Sequence, residues 1–550
     1  MGAALTAFAR KKDLTSPAFQ ENRLPRNLNV VDLTFLGIGS TLGGGVYVVT
    51  GEIAKNTAGP AAILSFCLAA FASLLCALCY AEFATRVPKA GSAYIYSYVT
   101  MGELCAFMIG WNLLLEYLIG AAAVARAWSS YFNSLVENAV RHELQTHVAH
   151  MHSSGISSHP DLFAFALCVL IALLVAFGPK GGTAFNSLLT FINLVIILFV
   201  SILGWWFGHA SNWKGSFMPF GFSGVLKGSA TAFFAFVGFD VIAIAGEEAK
   251  SPAKSMPKAI LLSIGVSLLG YCCIASALTT LQHYTELSDD ASLPEAFNKH
   301  GARWAKYVIA SGAIAGLTSS LVGTLFPATR LFFAMSADGL MLKPFSWVNE
   351  STKTPVFSAL VSGGISGFLA MIFDLTALVE MVSIGTLQAY MIVAICVLVL
   401  RYQERHVGLR ETDDGLVHVT DESIVDARQG KIEQTPSQRS GRLVIASTVI
   451  LIINMFAFAF TIIRGGTYIA HGYFWAVALF FNFLGITVVA VTVMVLQPQN
   501  KNELPFKAPL VPILPLLSIF INIYLMLELS ILTWVRFGLW MFLGKFIGMD

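Results

Sequence analysis

Four glycines fall within seven residues of the first strongly apolar stretch: Gly39-Ser40-Thr41-Leu42-Gly43-Gly44-Gly45, followed by Val46-Tyr47. Glycine costs roughly 1 kcal/mol relative to alanine inside a helix. A helix in lipid must satisfy its backbone groups internally, because lipid offers no partners. The run therefore predicts a break at membrane depth, with unpaired N–H groups and carbonyls beside it. A later apolar stretch, Thr231-Ala232-Phe233-Phe234-Ala235-Phe236-Val237-Gly238-Phe239-Asp240, carries a central glycine and then an acid. Paired interruptions in corresponding halves point to a solute site built from inverted repeats. The N-termini of half-helices aim partial positive charge at a carboxylate, and their C-termini offer carbonyls to an ammonium group. An amino acid carries both groups. Gly238, standing alone, serves equally well as a close-packing residue.

Acids come next. Glu116 stands in the middle of an apolar stretch, where burial costs at least about 2.5 kcal/mol on insertion scales, so it needs a partner or a role. Its bland partner is Asn112, one turn back, or a tyrosine. Asp240, Glu247 and Glu248 cluster at one end of the later stretch and are candidates to pair with Lys250 or Arg330. The eight cysteines all fall in apolar stretches and read as small buried hydrophobes. Cys76 and Cys79 have redox spacing but no second pair. His142, His147, His150, His152 and His159 form a loop cluster that reads as solvated, with no metal expected. No phosphate-binding loop, nucleophile elbow or HExxH motif occurs, so neither an enzyme nor a cofactor is expected.

The elements that position these residues are membrane helices. The 550 residues are 56% hydrophobic and 12% charged, with a mean hydropathy of +0.71. A soluble chain carries about 25% charged residues. No basic face is concentrated anywhere, so nucleic acid is not an expected partner. The N-terminal residues do not read as a signal peptide, since their apolar run is short and precedes the charges; no myristoylation pattern follows Gly2. Stretches of about 20 apolar residues give fourteen candidate spans: 30–50, 60–82, 104–124, 162–178, 184–207, 226–246, 258–281, 305–327, 355–374, 377–400, 443–463, 472–496, 508–527 and 533–549. With the N-terminus inside, 24 of 34 Lys and Arg residues fall on the inner side, which sets the orientation and makes both termini cytoplasmic. The sequon at Asn349 then faces inward. The chain divides into a cytoplasmic N-terminus (1–29), a ten-helix core (30–400), a polar cytoplasmic loop (401–442) and four further spans (443–550).

At this point the chain resembles the cationic amino acid transporters of the amino acid–polyamine–organocation superfamily. The likeness rests on GSTLGGGVYV (39–48), CYAEFATRVPKAGSAYIYSYVTMGEL (79–104), IGWNLLLEYLIG (109–120), FMPFGFSGVLKGSATAFFAFVGFD (217–240), GEEAKSP (246–252), MVSIGTLQAY (381–390) and FKAPLVPILPLLSIFINIYLM (506–526). It runs over almost the whole chain. It implies an all-α membrane protein with a leucine-transporter-type core of five plus five inverted-repeat helices and four additional C-terminal helices. It implies that a substrate carboxylate meets Thr41, Gly43, Gly44 and Gly45. The amino group would meet carbonyls near Ile38, Phe234 and Phe236, under Phe234 or Phe233 as the closing aromatic. Glu116 would face the substrate's cationic side chain, and Thr324 would leave that side chain room. Asn193 stands where proton-coupled relatives have lysine, so the resemblance implies no proton symport by that route. The implied function is facilitative, potential-driven transport of arginine, lysine and ornithine. Membership of the plasma membrane is expected, with the lysosome as the alternative location. An amino-acid sensor, or a neutral amino acid or polyamine transporter, is the competing reading.

Overall fold

The computed structural model describes residues 10–12, 24, 26–136, 160–177, 179–214, 217–287, 292–301, 303–403, 409–412, 415–418, 436–500 and 504–547. The histidine cluster at 142–159 lies outside them. The apolar stretches fold as α1 (Val30–Thr41), α2 (Ala62–Arg86), α3 (Glu103–Leu135), α4 (Leu162–Ala176), α5 (Pro179–Phe207), α6 (Gly221–Ala235), α7 (Pro252–Leu281), α8 (Arg303–Ala337), α9 (Val356–Ile372), α10 (Leu375–Tyr402), α11 (Gln438–Ala470), α12 (Phe474–Val495), α13 (Ile513–Leu527) and α14 (Ile531–Ile547). Among the described residues, ten helical segments are long and apolar enough to cross a membrane, or eleven if α13 and α14 count as one bent span. Those two helices meet at 106°, and α4 and α9 are shorter apolar helices. Between α10 and α11 a small antiparallel hairpin pairs Leu409–Thr412 with Gly415–His418.

Two elements are interrupted. α1 stops at Thr41, and Leu42 leaves helical geometry with ψ 54°. A π-helical turn over Gly45–Val49 follows, then a short α-turn (Thr50–Ile53) and a second π-turn (Ala54–Ala58). The wider π-turn leaves part of the backbone ladder mismatched, a feature concentrated at functional sites. The break is narrower than the glycine run. Gly39 stays helical, and glycine serves there for close packing, since a Cβ would come within 2.3 Å of Ser319 Oγ and 2.4 Å of Thr190 Oγ1. α6 stops at Ala235, and a turn over residues 236–239 leads to a short helix, Asp240–Ile244. Gly238 has φ +126°, a left-handed geometry open to glycine, so it breaks the span rather than only easing packing. It also packs closely, since a Cβ would come within 2.7 Å of Ser40 Oγ.

α1 is walled in by α5, α7 and α8, while α3 packs on α8 and α10. The apolar core divides along α1. Leu33 and Leu36 join one buried cluster with Phe83 and Tyr390, and Leu42 and Val46 join another with Tyr131 and Tyr271. The break thus lies beside the seam between two cores, where backbone polar groups can be met by side chains rather than lipid.

Candidate functional site

Three carbonyls around the first break are engaged by side chains from other helices. Ser320 Oγ of α8 donates to Ser40 O at 3.2 Å. Asn193 Nδ2 of α5 donates to Leu42 O at 2.6 Å. The Tyr271 hydroxyl of α7 lies 2.5 Å from Thr41 O and 2.7 Å from Ala235 O, the last carbonyls of both interrupted helices. One O–H serves them in turn or as a three-centre bond. Two helix C-termini therefore converge on a single spot, with their partial negative charges together. Asn193 does more than lack a titrating amine. Its Oδ1 accepts from the Tyr47 hydroxyl at 2.5 Å, so one amide clasps both sides of the break. Tyr131 then donates to Tyr47 O at 2.7 Å.

The glycine triplet divides in use. A Cβ at Gly43 would meet Ser320 at 2.3 Å, and one at Gly45 would meet Tyr271 Oη at 2.5 Å and Ala235 Cβ at 2.7 Å. Gly44 alone faces open space and is half-buried. Thr41 turns its hydroxyl to Gly37 O and Ser267 Oγ, both at 2.8 Å, and not toward that space. Ile38 O accepts from Leu42 N–H at 2.7 Å. Of the three aromatics, Phe233 packs edge-on to Tyr390 and Phe236 edge-on to Tyr271, both buried, while Phe234 is half-buried.

The second part of the site is built on α3. Glu116 is 2% exposed, and neither carboxylate oxygen has a hydrogen-bond partner among the described residues. Asn112 is not the partner of Glu116: its amide donates instead to Gly385 O and Gln388 Oε1, both at 3.2 Å, and the polar side chain beside Glu116 is Thr386. Asp240, by contrast, is saturated. Tyr117 donates to Oδ2, and Gly238 N–H (3.1 Å) and Tyr390 Oη (3.3 Å) donate to Oδ1. Two buried acids thus have opposite environments, one fully solvated by protein and one left bare. A bare buried carboxylate is costly, so this arrangement is suited to an incoming cation. One turn beyond Glu116, a Cβ on Gly120 would lie 3.7 Å from Thr324 Cγ2. Thr324 bonds its hydroxyl back to Ser320 O and Leu321 O, leaving a small methyl face. Sequence reasoning missed Tyr47, Tyr117, Tyr271 and Tyr390; the available signal was polar rings inside otherwise apolar stretches.

Beyond the short helix lies a buried ion pair. Glu248 pairs with Arg330 Nε at 2.9 Å, and Arg330 is 1% exposed with its guanidinium 3.7 Å from the Phe326 ring centroid. Glu248 O accepts from Asn27 N–H and Leu28 N–H, each at 2.9 Å. Glu247 accepts from the Leu24 and Ala90 N–H groups at 3.4 Å. Of the three acids grouped in the sequence, Glu248 alone takes Arg330. Breaking a buried pair costs about 3–5 kcal/mol because one charge is left behind. Arg330→Leu is therefore expected to lower the melting temperature of the detergent-purified protein, and adding Glu248→Leu to recover part of the loss.

Among the described residues, no group of three or more His, Cys, Asp or Glu side chains is placed to hold a metal. The described cysteines are free, with Cys76 and Cys79 buried.

The amino acid permease family matches residues 28–417, and the C-terminal region of such permeases matches residues 506–547. Human cationic amino acid transporter 4 is 38% identical over 98% of this chain and 90% of its own length. The vacuolar cationic amino acid transporter 4 of Arabidopsis thaliana is 32% identical over 99% of this chain and 95% of its own. The mitochondrial transporter 3 of that plant is 33% identical over 95% and 90%. A solved structure of MhsT in complex with L-phenylalanine, 15% identical, superposes with a TM-score of 0.51 over 67% of this chain and 88% of that one, a likeness of fold. The chain belongs to the amino acid permease family and, within it, to the cationic amino acid transporters: it is a multi-pass membrane protein that transports amino acids.

Proposed function

We propose that the protein is a facilitative transporter of arginine, lysine and ornithine, driven by membrane potential and working by alternating access. The observation that carries this reading is Glu116, a buried carboxylate with no hydrogen-bond partner among the described residues. Substrate main-chain groups are assigned to the breaks: the carboxylate to Gly43–Gly45, where Gly44 offers open space, and the ammonium to carbonyls near Ile38, Phe234 and Phe236. Phe234, half-buried, is the closing aromatic and Phe233 its substitute. Thr324 gives a long side chain room. Thr41 acts at one remove, by fixing the last turn of α1. The proposed architecture is fourteen spans around a five-plus-five inverted repeat, with both termini in the cytoplasm and the plasma membrane as location.

The drive follows from charge. Asn193 cannot titrate, and moving one positive charge through 100 mV is worth about 2.3 kcal/mol, an accumulation of roughly fiftyfold. Proteoliposomes holding an inside-negative potential of that size are expected to concentrate labelled arginine toward that ratio, with no accumulation when the potential is collapsed. Saturable binding without flux would favour a sensor instead.

A further inference from the structure

The four C-terminal helices lie outside the ten-helix core, yet one partly buried and one buried contact tie them to the elements that carry the site. Trp111 of α3 and Trp540 of α14 stack with centroids 4.4 Å apart and planes 9° from parallel. Each indole also donates to the other's backbone: Trp111 Nε1 to Trp540 O at 2.9 Å, and Trp540 Nε1 to Trp111 O at 3.0 Å. Gly544, one turn on, has no room for a side chain, since a Cβ there would come within 2.5 Å of Trp111 Nε1. The second contact is ionic. Glu82 of α2 is fully buried and binds Arg401 of α10 through both oxygens at 2.8 Å. The Ala508 N–H before α13 donates to Glu82 at 2.9 Å, and Arg401 donates to Ala508 O at 3.3 Å.

We propose that Trp540 is a positioning residue for Glu116, and that the C-terminal helices act as a brace fixing α3 beside α10. Trp111 is followed at once by Asn112, whose amide holds α10 at Gly385 and Gln388. Gly385 in turn packs on Glu116, a Cβ there lying 3.3 Å from Glu116 Cβ. The rotation of α3 about its axis therefore has two stops, one on α14 and one on α10, and Glu116 sits one turn past the second. A carboxylate with no hydrogen bond within 3.5 Å among the described residues is placed chiefly by the helix that carries it. A misplacement of about 1 Å at a binding group costs up to a hundredfold in rate.

The inference rests on the reading that Glu116 faces the substrate side chain. The test uses the full chain in proteoliposomes, with labelled lysine and with norleucine, which has lysine's length without its charge. Trp540→Ala is expected to raise the lysine KM about tenfold, with Vmax and the norleucine KM within about twofold. Trp540→Phe, which keeps the stacked ring and the bond to its backbone oxygen, is expected to recover most of the lysine KM. In a Glu116→Ala background, Trp540→Ala should add nothing to the lysine KM. A fall in Vmax for both amino acids with the lysine KM unchanged would reduce the contact to a folding contact and overturn the brace. A further rise of lysine KM in the Glu116→Ala background would also overturn it. A selective Glu116→Ala beside an inert Trp540→Ala removes the brace and leaves the pocket standing. A Glu116→Ala that treats lysine and norleucine alike removes the pocket reading, and the brace with it.

Discussion

Glu116→Ala is expected to lower kcat/KM for lysine and arginine uptake by about a hundredfold, while norleucine uptake changes by less than about threefold. The size follows from the burial of the carboxylate. A cation brought to a bare acid that is 2% exposed forms a charge-assisted pair in a low-dielectric setting, and truncating one partner of such a pair costs about 3–5 kcal/mol. The lower figure alone is more than a hundredfold. The selectivity follows from what norleucine lacks. It never pairs with Glu116, so it loses only packing when the acid is removed. Glu116→Gln separates charge from shape: it is expected to follow Glu116→Ala for lysine and the unchanged protein for norleucine. Labelled uptake under a fixed potential measures both. Equal losses for the two amino acids would end the side-chain role of Glu116.

The second large effect is expected at Asn193, and it is of the opposite kind. Asn193→Leu should depress uptake of every substrate together, by about thirtyfold or more, without altering the order of preference. The amide bonds both Leu42 O and Tyr47 Oη, and all three residues are buried. Leucine would leave two buried polar groups unsatisfied, each costing about 1–3 kcal/mol. That penalty falls on the geometry of the break itself, before any substrate side chain is read. Tyr47→Phe, which removes one of the two bonds, is expected to give a smaller loss. A loss confined to cationic substrates would mean that Asn193 contacts the ligand rather than holding the helix. Arginine flux and competition profiles from the same vesicles decide between these outcomes.

Together the two substitutions divide the site by what each part recognises. The clasp of Asn193 on Leu42 and Tyr47 holds the break on which the proposed main-chain contacts depend. The α3 face around Glu116 is the part proposed to address the side chain. Tyr117 and Asp240 join the two: Tyr117 follows Glu116, and Asp240 begins the second half of the interrupted sixth span.

Much of this was legible in the chain as written. The apolar lengths follow from transfer of side chains into hydrocarbon, and among the described residues ten of the helical segments, or eleven with the bent pair α13–α14, are long and apolar enough to span, fewer than the fourteen expected. The break in the first span follows from glycine's backbone entropy, and it falls inside the run 39–45. Those properties are local: they depend on a residue and its chain neighbours. Glu116 stood out for the same reason, as a charge where none is cheap.

What the tertiary structure alone decided is partnership across long separations. Asn193 lies 151 residues from Leu42, and Tyr271 lies 230 from Thr41. Trp540 lies 429 residues from Trp111. A hydrogen bond needs its atoms within about 3 Å, and no pattern of spacing encodes which distant side chain arrives. Which glycine of the triplet stays open was undecidable for the same reason: Gly43 and Gly45 are filled by Ser320, Tyr271 and Ala235 from other helices, and Gly44 is not. Nor could the sequence distinguish the buried acids Glu116 and Asp240. Glu116 and Asp240 are both carboxylates, but packing gave three close donors to Asp240 and, among the described residues, none within 3.5 Å to Glu116. The sequence determined where a polar site had to form in an apolar chain; the packing of remote helices determined which of its groups remain free to bind.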